Sequence, residues 1–93
     1  KKEVEQSILN EKKEQDISGL VMDVMGEPIV GVNVMEKGTT NGTITDMDGK
    51  FLLKAPANAT LIISFIGYKT LAVNLEGEKN VNITLKEDLE QVR

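Results

Sequence analysis

The residues best suited to chemistry in this sequence are carboxylates set beside glycines. Asp46-Met47-Asp48-Gly49 places two aspartates next to a glycine, the beginning of an oxygen-rich loop of the kind that holds calcium. A full EF-hand loop also needs a bidentate glutamate at its twelfth position, and counted from Asp46 that position is Ala57. The same four residues make a turn if an Asp side chain accepts from its own backbone and Gly49 takes the left-handed conformation. The turn is the stronger reading. Asp23 and Glu27 could act as a carboxylate dyad for hydrolysis, but they lie at a hairpin end, where carboxylates usually serve solubility. The chain contains no histidine and no cysteine, the side chains that most often supply general bases and nucleophiles. Thr39, Thr40, Thr43 and Thr45 carry hydroxyls that could bind a sugar. Beside turns, their expected role is β-propensity and cross-strand pairing. Tyr68 could stack on carbohydrate, but at a strand junction it is expected to pack as a corner residue. Phe51 and Phe65 read as core. No catalytic, cofactor-binding or metal-ligating residue is therefore assigned.

The elements that position these residues are strands. Gly38 to Phe51 reads GTTNGTITDMDGKF. Asn41-Gly42 predicts a tight hairpin turn, Asp46–Gly49 a second, and one short strand, Thr43 to Thr45, fits between them. From Ile17 the apolar positions recur with period two. Ile17, Gly19 and Val21 share one face of the first strand, and Ser18, Leu20 and Met22 the other. Gly26-Glu27-Pro28 stops it. A second strand is expected from about Val30 to Glu36, with Val30, Val32 and Val34 on one face and a bulge or close approach at Gly31.

Lys50 to Lys54 comes next, with Phe51 and Leu53 opposite Lys50, Leu52 and Lys54. Pro56 and Asn58 make a turn, and the apolar run Thr60 to Ile66 predicts a central strand buried on both faces. Gly67 breaks that run, and Tyr68 to Leu75 resumes alternation. Glu76–Lys79 is a charged turn. In the last strand, Asn80 to Lys86, Val81, Ile83 and Leu85 point inward. About seven short strands at this spacing predict an all-β fold, a small antiparallel β-sandwich.

Composition narrows the function classes. Ninety-three residues make one domain with a modest core. Hydrophobic residues are 40% of the chain but aromatics only 3%, so Val, Ile, Leu and Met must fill it. With no Trp and one Tyr, a flat aromatic sugar platform is hard to assemble. A net charge of −4 argues against nucleic acid, which calls for clustered Lys and Arg. No apolar run is long enough to cross a bilayer, so direct membrane insertion of this domain is not expected. Lys1 to Asp16 is rich in Lys, Glu and Gln, with Val4, Ile8 and Leu9 at helical spacing. A linker or frayed helix is expected there. Residues 87–93 read as a charged tail leading to the rest of a larger parent protein.

Four blocks in register resemble the carboxypeptidase regulatory-like domain, a transthyretin-like (prealbumin-like) β-sandwich. Ile17, Gly19, Val21 and Asp23 match V-x-G-x-V-x-D. Gly26, Pro28, Gly31, Val32 and Val34 match G-x-P-x-x-G-V-x-V. Gly38, Thr39, Gly42, Thr43, Thr45, Asp46, Asp48, Gly49 and Phe51 match G-T-x-x-G-T-x-T-D-x-D-G-x-F. Phe65, Gly67 and Tyr68 match F-x-G-Y. The resemblance covers residues 17–86, which are taken as the sandwich domain. Its form is similar to the one at the N-terminus of SusC-like TonB-dependent outer-membrane transporters. Leu20 and Met22 depart from the pattern, standing where the family usually has polar residues on an outer face.

The resemblance implies a non-enzymatic module on the periplasmic side of the outer membrane, within a nutrient transporter that imports glycans. Its implied partners are the plug and barrel of the parent, TonB, or a substrate-binding lipoprotein. No cofactor is implied. A small carbohydrate-binding module is the alternative, and a structural spacer without specific contacts is a third reading.

Overall fold

A computed structural model describes residues 14–89. The chain forms seven strands: β1 Glu14–Met22, β2 Asn33–Glu36, β3 Gly42–Ile44, β4 Lys50–Pro56, β5 Thr60–Ser64, β6 Leu71–Asn74 and β7 Asn80–Thr84. They make two sheets, ordered β4-β1-β7 and β3-β2-β5-β6. The expected all-β sandwich is what the residues build. β1 begins at Glu14, three residues earlier than the alternation alone predicts, because Glu14, Gln15 and Asp16 pair with Pro56, Ala55 and Lys54 of β4. The helical stripe of Val4, Ile8 and Leu9 lies outside the described residues.

The period-two pattern closes the core between the sheets. Ile17, Val21, Phe51, Leu53, Ala55 and Ile83 face inward from the first sheet, and Val34, Leu61 and Ile63 meet them from the second. Phe51 and Phe65 behave as read, the first buried and the second packed on the core's margin. Position 19 falls on the inner face with Ile17 and Val21, and it is glycine because the Phe51 ring occupies the side-chain space there. A Cβ there would stand 2.4 Å from two ring carbons.

Several expectations are corrected by tertiary context. β7 runs parallel to β1, Gly19 facing Val81 and Val21 facing Ile83, whereas all other strand pairs are antiparallel. The chain leaves β6 in one sheet, turns at Glu76–Lys79 and enters β7 in the other, so β7 travels in the direction of β1. Val30 is exposed and not on the inner face, since Gly31 has φ +86° and turns the chain before β2 starts. The hairpin before β3 is not an Asn41-Gly42 turn. Its positive φ is at Gly38, and Gly42 already pairs with Met35. Asn41 instead donates from Nδ2 to the Lys54 carbonyl and to Glu36 Oε1 (2.6 and 3.0 Å).

β5 is central in its sheet but is buried on one face only. Leu61 and Ile63 are inside, Ile62 is half-buried on the outer face, and Ile66 lies beyond the strand in an exposed turn. Leu20 and Met22 are half-buried on the outer face of β1. On the same sheet Lys54 donates to Asp16 (2.8 Å). That hydrogen bond, with the attraction between the two charges, raises the Lys54 pKa. Both side chains are well solvated, so the pair adds little to stability.

One buried polar residue joins the sheets. Thr45 is 4% exposed. Its hydroxyl donates to the Ile29 carbonyl (2.7 Å) and accepts from the Val32 N–H (2.9 Å). Its own N–H donates to the Val32 carbonyl (3.1 Å), and its carbonyl accepts from Gly31 (3.0 Å). Residues 29–32 carry the chain from the β1 sheet to the β2 sheet, so Thr45 satisfies that crossover's polar groups where water cannot. Thr45→Val should cost about 2–4 kcal/mol, because it strands a buried donor and a buried acceptor. Thr45→Ser, which keeps the hydroxyl, should cost about 1 kcal/mol. Urea unfolding of both variants checks the order.

Candidate functional site

Of the residues read as candidate chemistry, Asp23, Glu27, Asp46 and Tyr68 gather at one end of the sandwich, where β1 and β7 finish and β4 starts, whereas Thr39 and Thr40 lie in the β2–β3 connection at the other. Asp23 follows β1, Asp46 precedes β4, and Tyr68 lies between β5 and β6. The two aspartates head the same local structure. Asp23 Oδ1 accepts from the N–H groups of Met25 and Glu27, both at 2.9 Å. Asp46 Oδ1 accepts from Asp48 and Lys50, again at 2.9 Å. In each loop the glycine three residues on donates to the aspartate carbonyl, and the aspartate N–H donates to the carbonyl of the residue after that glycine. Gly26 and Gly49 both have positive φ, +85° and +76°.

Asp-x-x-Gly is thus used twice as a self-capping turn. The turn reading of Asp46–Gly49 describes what the loop does, and Asp23 with Glu27 forms a second copy of it. Among the described residues no group of three or more His, Cys, Asp or Glu side chains is arranged to hold a metal. The repeated spacing, Asp23 to Gly26 and Asp46 to Gly49, is the signal in the sequence that would have exposed the second turn.

Tyr68 packs its ring against Phe65, with centroids 5.9 Å apart and planes tilted by 36°, and is half-buried against the core. Its backbone bridges to Glu87, and the neighbouring Lys69 N–H donates to the Lys86 carbonyl (2.9 Å). Tyr68 therefore anchors the outgoing chain, as a corner residue does. Thr39 also serves a turn, its Oγ1 donating to the Glu36 carbonyl and accepting from the Asn41 N–H. Of the four threonines only Thr43 lies in a strand, paired with Val34; Thr39 and Thr40 belong to the β2–β3 connection, and the buried role of Thr45 is the one furthest from the expected cross-strand pairing. A hydroxyl at a strand end looks the same in sequence whether it is exposed or sealed beneath a crossover.

The family's sequence model for the CarboxypepD_reg-like domain matches residues 17–93. The chain belongs to that family. This CarboxypepD_reg-like domain is 45% identical over 74 residues to the TonB-dependent receptor SusC of Bacteroides thetaiotaomicron, a match covering 80% of the chain and 7% of the receptor. A TonB-dependent receptor of Formosa agariphila is 38% identical over 87 residues, covering 92% of the chain and 8% of that protein. The domain thus spans less than a tenth of each of these two receptors. Among solved structures, a type II cohesin–X-dockerin complex from Acetivibrio cellulolyticus shares the fold. There the TM-score is 0.62 at 24% identity, over 78% of this chain and 58% of the other.

The two Asp-x-x-Gly turns differ in their surroundings. A Cβ on Gly26 would meet nothing within 4 Å, whereas one on Gly49 would stand 2.5 Å from the Val21 carbonyl oxygen and 2.9 Å from Pro28 Cβ. Gly26→Ala should therefore lose only the cost of a left-handed alanine, about 1–2 kcal/mol. Gly49→Ala should lose about 3 kcal/mol or more, since backbone must also move. Equal losses in thermal or urea unfolding would show that the two loops are equally free.

Proposed function

We propose that this domain is a non-catalytic accessory module of a TonB-dependent outer-membrane nutrient receptor, held on the periplasmic side and working through protein contacts. The observation that carries the reading is the 45% identity with SusC across 80% of the chain. The local chemistry supports it. The carboxylates nearest to a catalytic or metal-binding arrangement, Asp23 and Asp46, are committed to their own turns. The single tyrosine is folded against Phe65. What the sandwich offers a partner is backbone and surface: β3, β4, β6 and β7 are all sheet edges, and an edge strand can accept an added strand. The partners on this reading are the plug and barrel of the parent receptor, TonB, or a substrate-binding lipoprotein. Residues 17–86 are extended at one end by Glu14, Gln15 and Asp16, which pair with β4, and at the other by Glu87 and Asp88, which bind Tyr68 and Gly67; the segments beyond these serve as connections.

The test is made in the full receptor in cells. Replacing residues 17–86 by an unrelated β-domain of equal size should abolish nutrient uptake while the receptor still reaches the membrane at its normal level. Unimpaired uptake would reduce the domain to a spacer. Chemical-shift changes on titrating the 93-residue chain with oligosaccharides would instead make it a carbohydrate-binding module.

A further inference from the structure

The two ends of the sandwich differ in a way the fold does not require. At the end carrying Asp23, Asp46 and Tyr68, the loops expose Val24, Met25, Val30, Met47, Ile66 and Leu89. Met25, Met47 and Ile66 are 81%, 84% and 87% exposed, so they contribute almost nothing to the core. At the opposite end the connections read KGTTN between β2 and β3, ANA between β4 and β5 and LEGEK between β6 and β7, with Ala59 and Leu75 buried. None of those residues is an exposed large hydrophobic.

Turn geometry does not explain the contrast. The central positions of an Asp-x-x-Gly turn accept nearly any residue and are usually polar. Val24, Met25 and Met47 are choices that cost solubility and leave the turn itself unchanged.

The exposed residues also lie on loops that touch one another. Gly49, which closes the Met47 loop, abuts Pro28 of the loop carrying Met25 and Val30. Phe65, beside Ile66, lies 3.6 Å from the Cβ position of Gly31 in that same loop. Val24 and Met25 share a shallow depression with Tyr68, Leu85 and Glu87. The chain leaves β7 across this same end. The Leu85 N–H donates to the Met22 carbonyl (2.8 Å), and the Asp88 N–H to Gly67 (2.9 Å), which delivers Leu89 to the apolar surface.

We propose that this apolar end is the docking face of the domain and that its occupant is the remainder of the same receptor polypeptide. The inference rests on the reading of the chain as one part of a TonB-dependent receptor. The occupant follows from chain direction. The outgoing backbone is fastened to this end, so whatever follows it in the parent begins beside the patch. A tethered partner is present at high effective concentration, and a modest patch of flexible methionines and one isoleucine then suffices. The polar end needs no cover.

The chain has no cysteine, which makes thiol labelling the direct test. Met25→Cys and Ile66→Cys report on the apolar end, and Asn58→Cys and Glu78→Cys on the polar end. All four sites are exposed, so the variants retain the fold. In the full receptor, with no other reactive cysteine, each labelling rate is normalised to its rate after denaturation. The apolar-end cysteines should label about tenfold more slowly than the polar-end pair. Protection of the polar end with the apolar end open would overturn the proposed face and leave a docking module intact. Uniformly fast labelling would overturn the docking reading as well. Protection that disappears on dilution of the receptor would assign the patch to a second copy, and it too would overturn the proposal.

Discussion

A sandwich this small has one structural problem that aliphatic packing cannot solve. Among the described residues the chain passes between the sheets four times, and at the first crossing, residues 29–32, peptide groups are carried into the interior. Thr45 resolves it. A single hydroxyl donates to Ile29 and accepts from Val32, and the threonine's own peptide groups bind Gly31 and Val32. A buried donor or acceptor left alone costs as much as a sizeable share of a small domain's stability. Thr45 thereby holds residues 29–32 beside the end of β3, where β2 begins and the Asp46 turn starts. Apolar burial supplies most of the stabilisation, but it would be as well satisfied by several arrangements of these strands. The polar clamp selects one.

The adjoining turns show how local chemistry frees a surface for other use. In both Asp-x-x-Gly loops the carboxylate satisfies backbone donors that would otherwise need water or a partner. Each loop is therefore self-sufficient, and its outward positions are released from any structural duty. Here those positions hold Val24, Met25 and Met47, and the neighbouring turn holds Ile66. The same carboxylates that resemble acid–base or calcium chemistry in the sequence cap the loops that carry Val24, Met25 and Met47.

Membership of the CarboxypepD_reg-like family and kinship with TonB-dependent receptors fit this division of labour. Two aliphatic faces and a clamped crossover make a stable body with a short chain. The body presents differentiated ends and open sheet edges. The cohesin–X-dockerin likeness, at 24% identity, extends to the fold alone.

Legible from the amino acids alone were the strand count, the face that Ile17 shares with Val21 and Leu53 with Phe51, the inward side of Ile83 and Leu85, the Asp46 turn and the family. Each is local: period-two alternation, turn chemistry and motif spacing are written within a few residues. Tertiary structure alone decided the parallel pairing of β7 with β1, the exposure of Val30 and Ile66, the shift of the hairpin turn from Asn41-Gly42 to Gly38, and the burial of Thr45. Alternation reads the same for a strand running in either direction, and it cannot say which sheet the next strand joins. A threonine's hydroxyl becomes structural only when a distant segment, here Ile29 to Val32, is laid across it. Contacts between residues far apart in sequence set these features, and no local pattern encodes them.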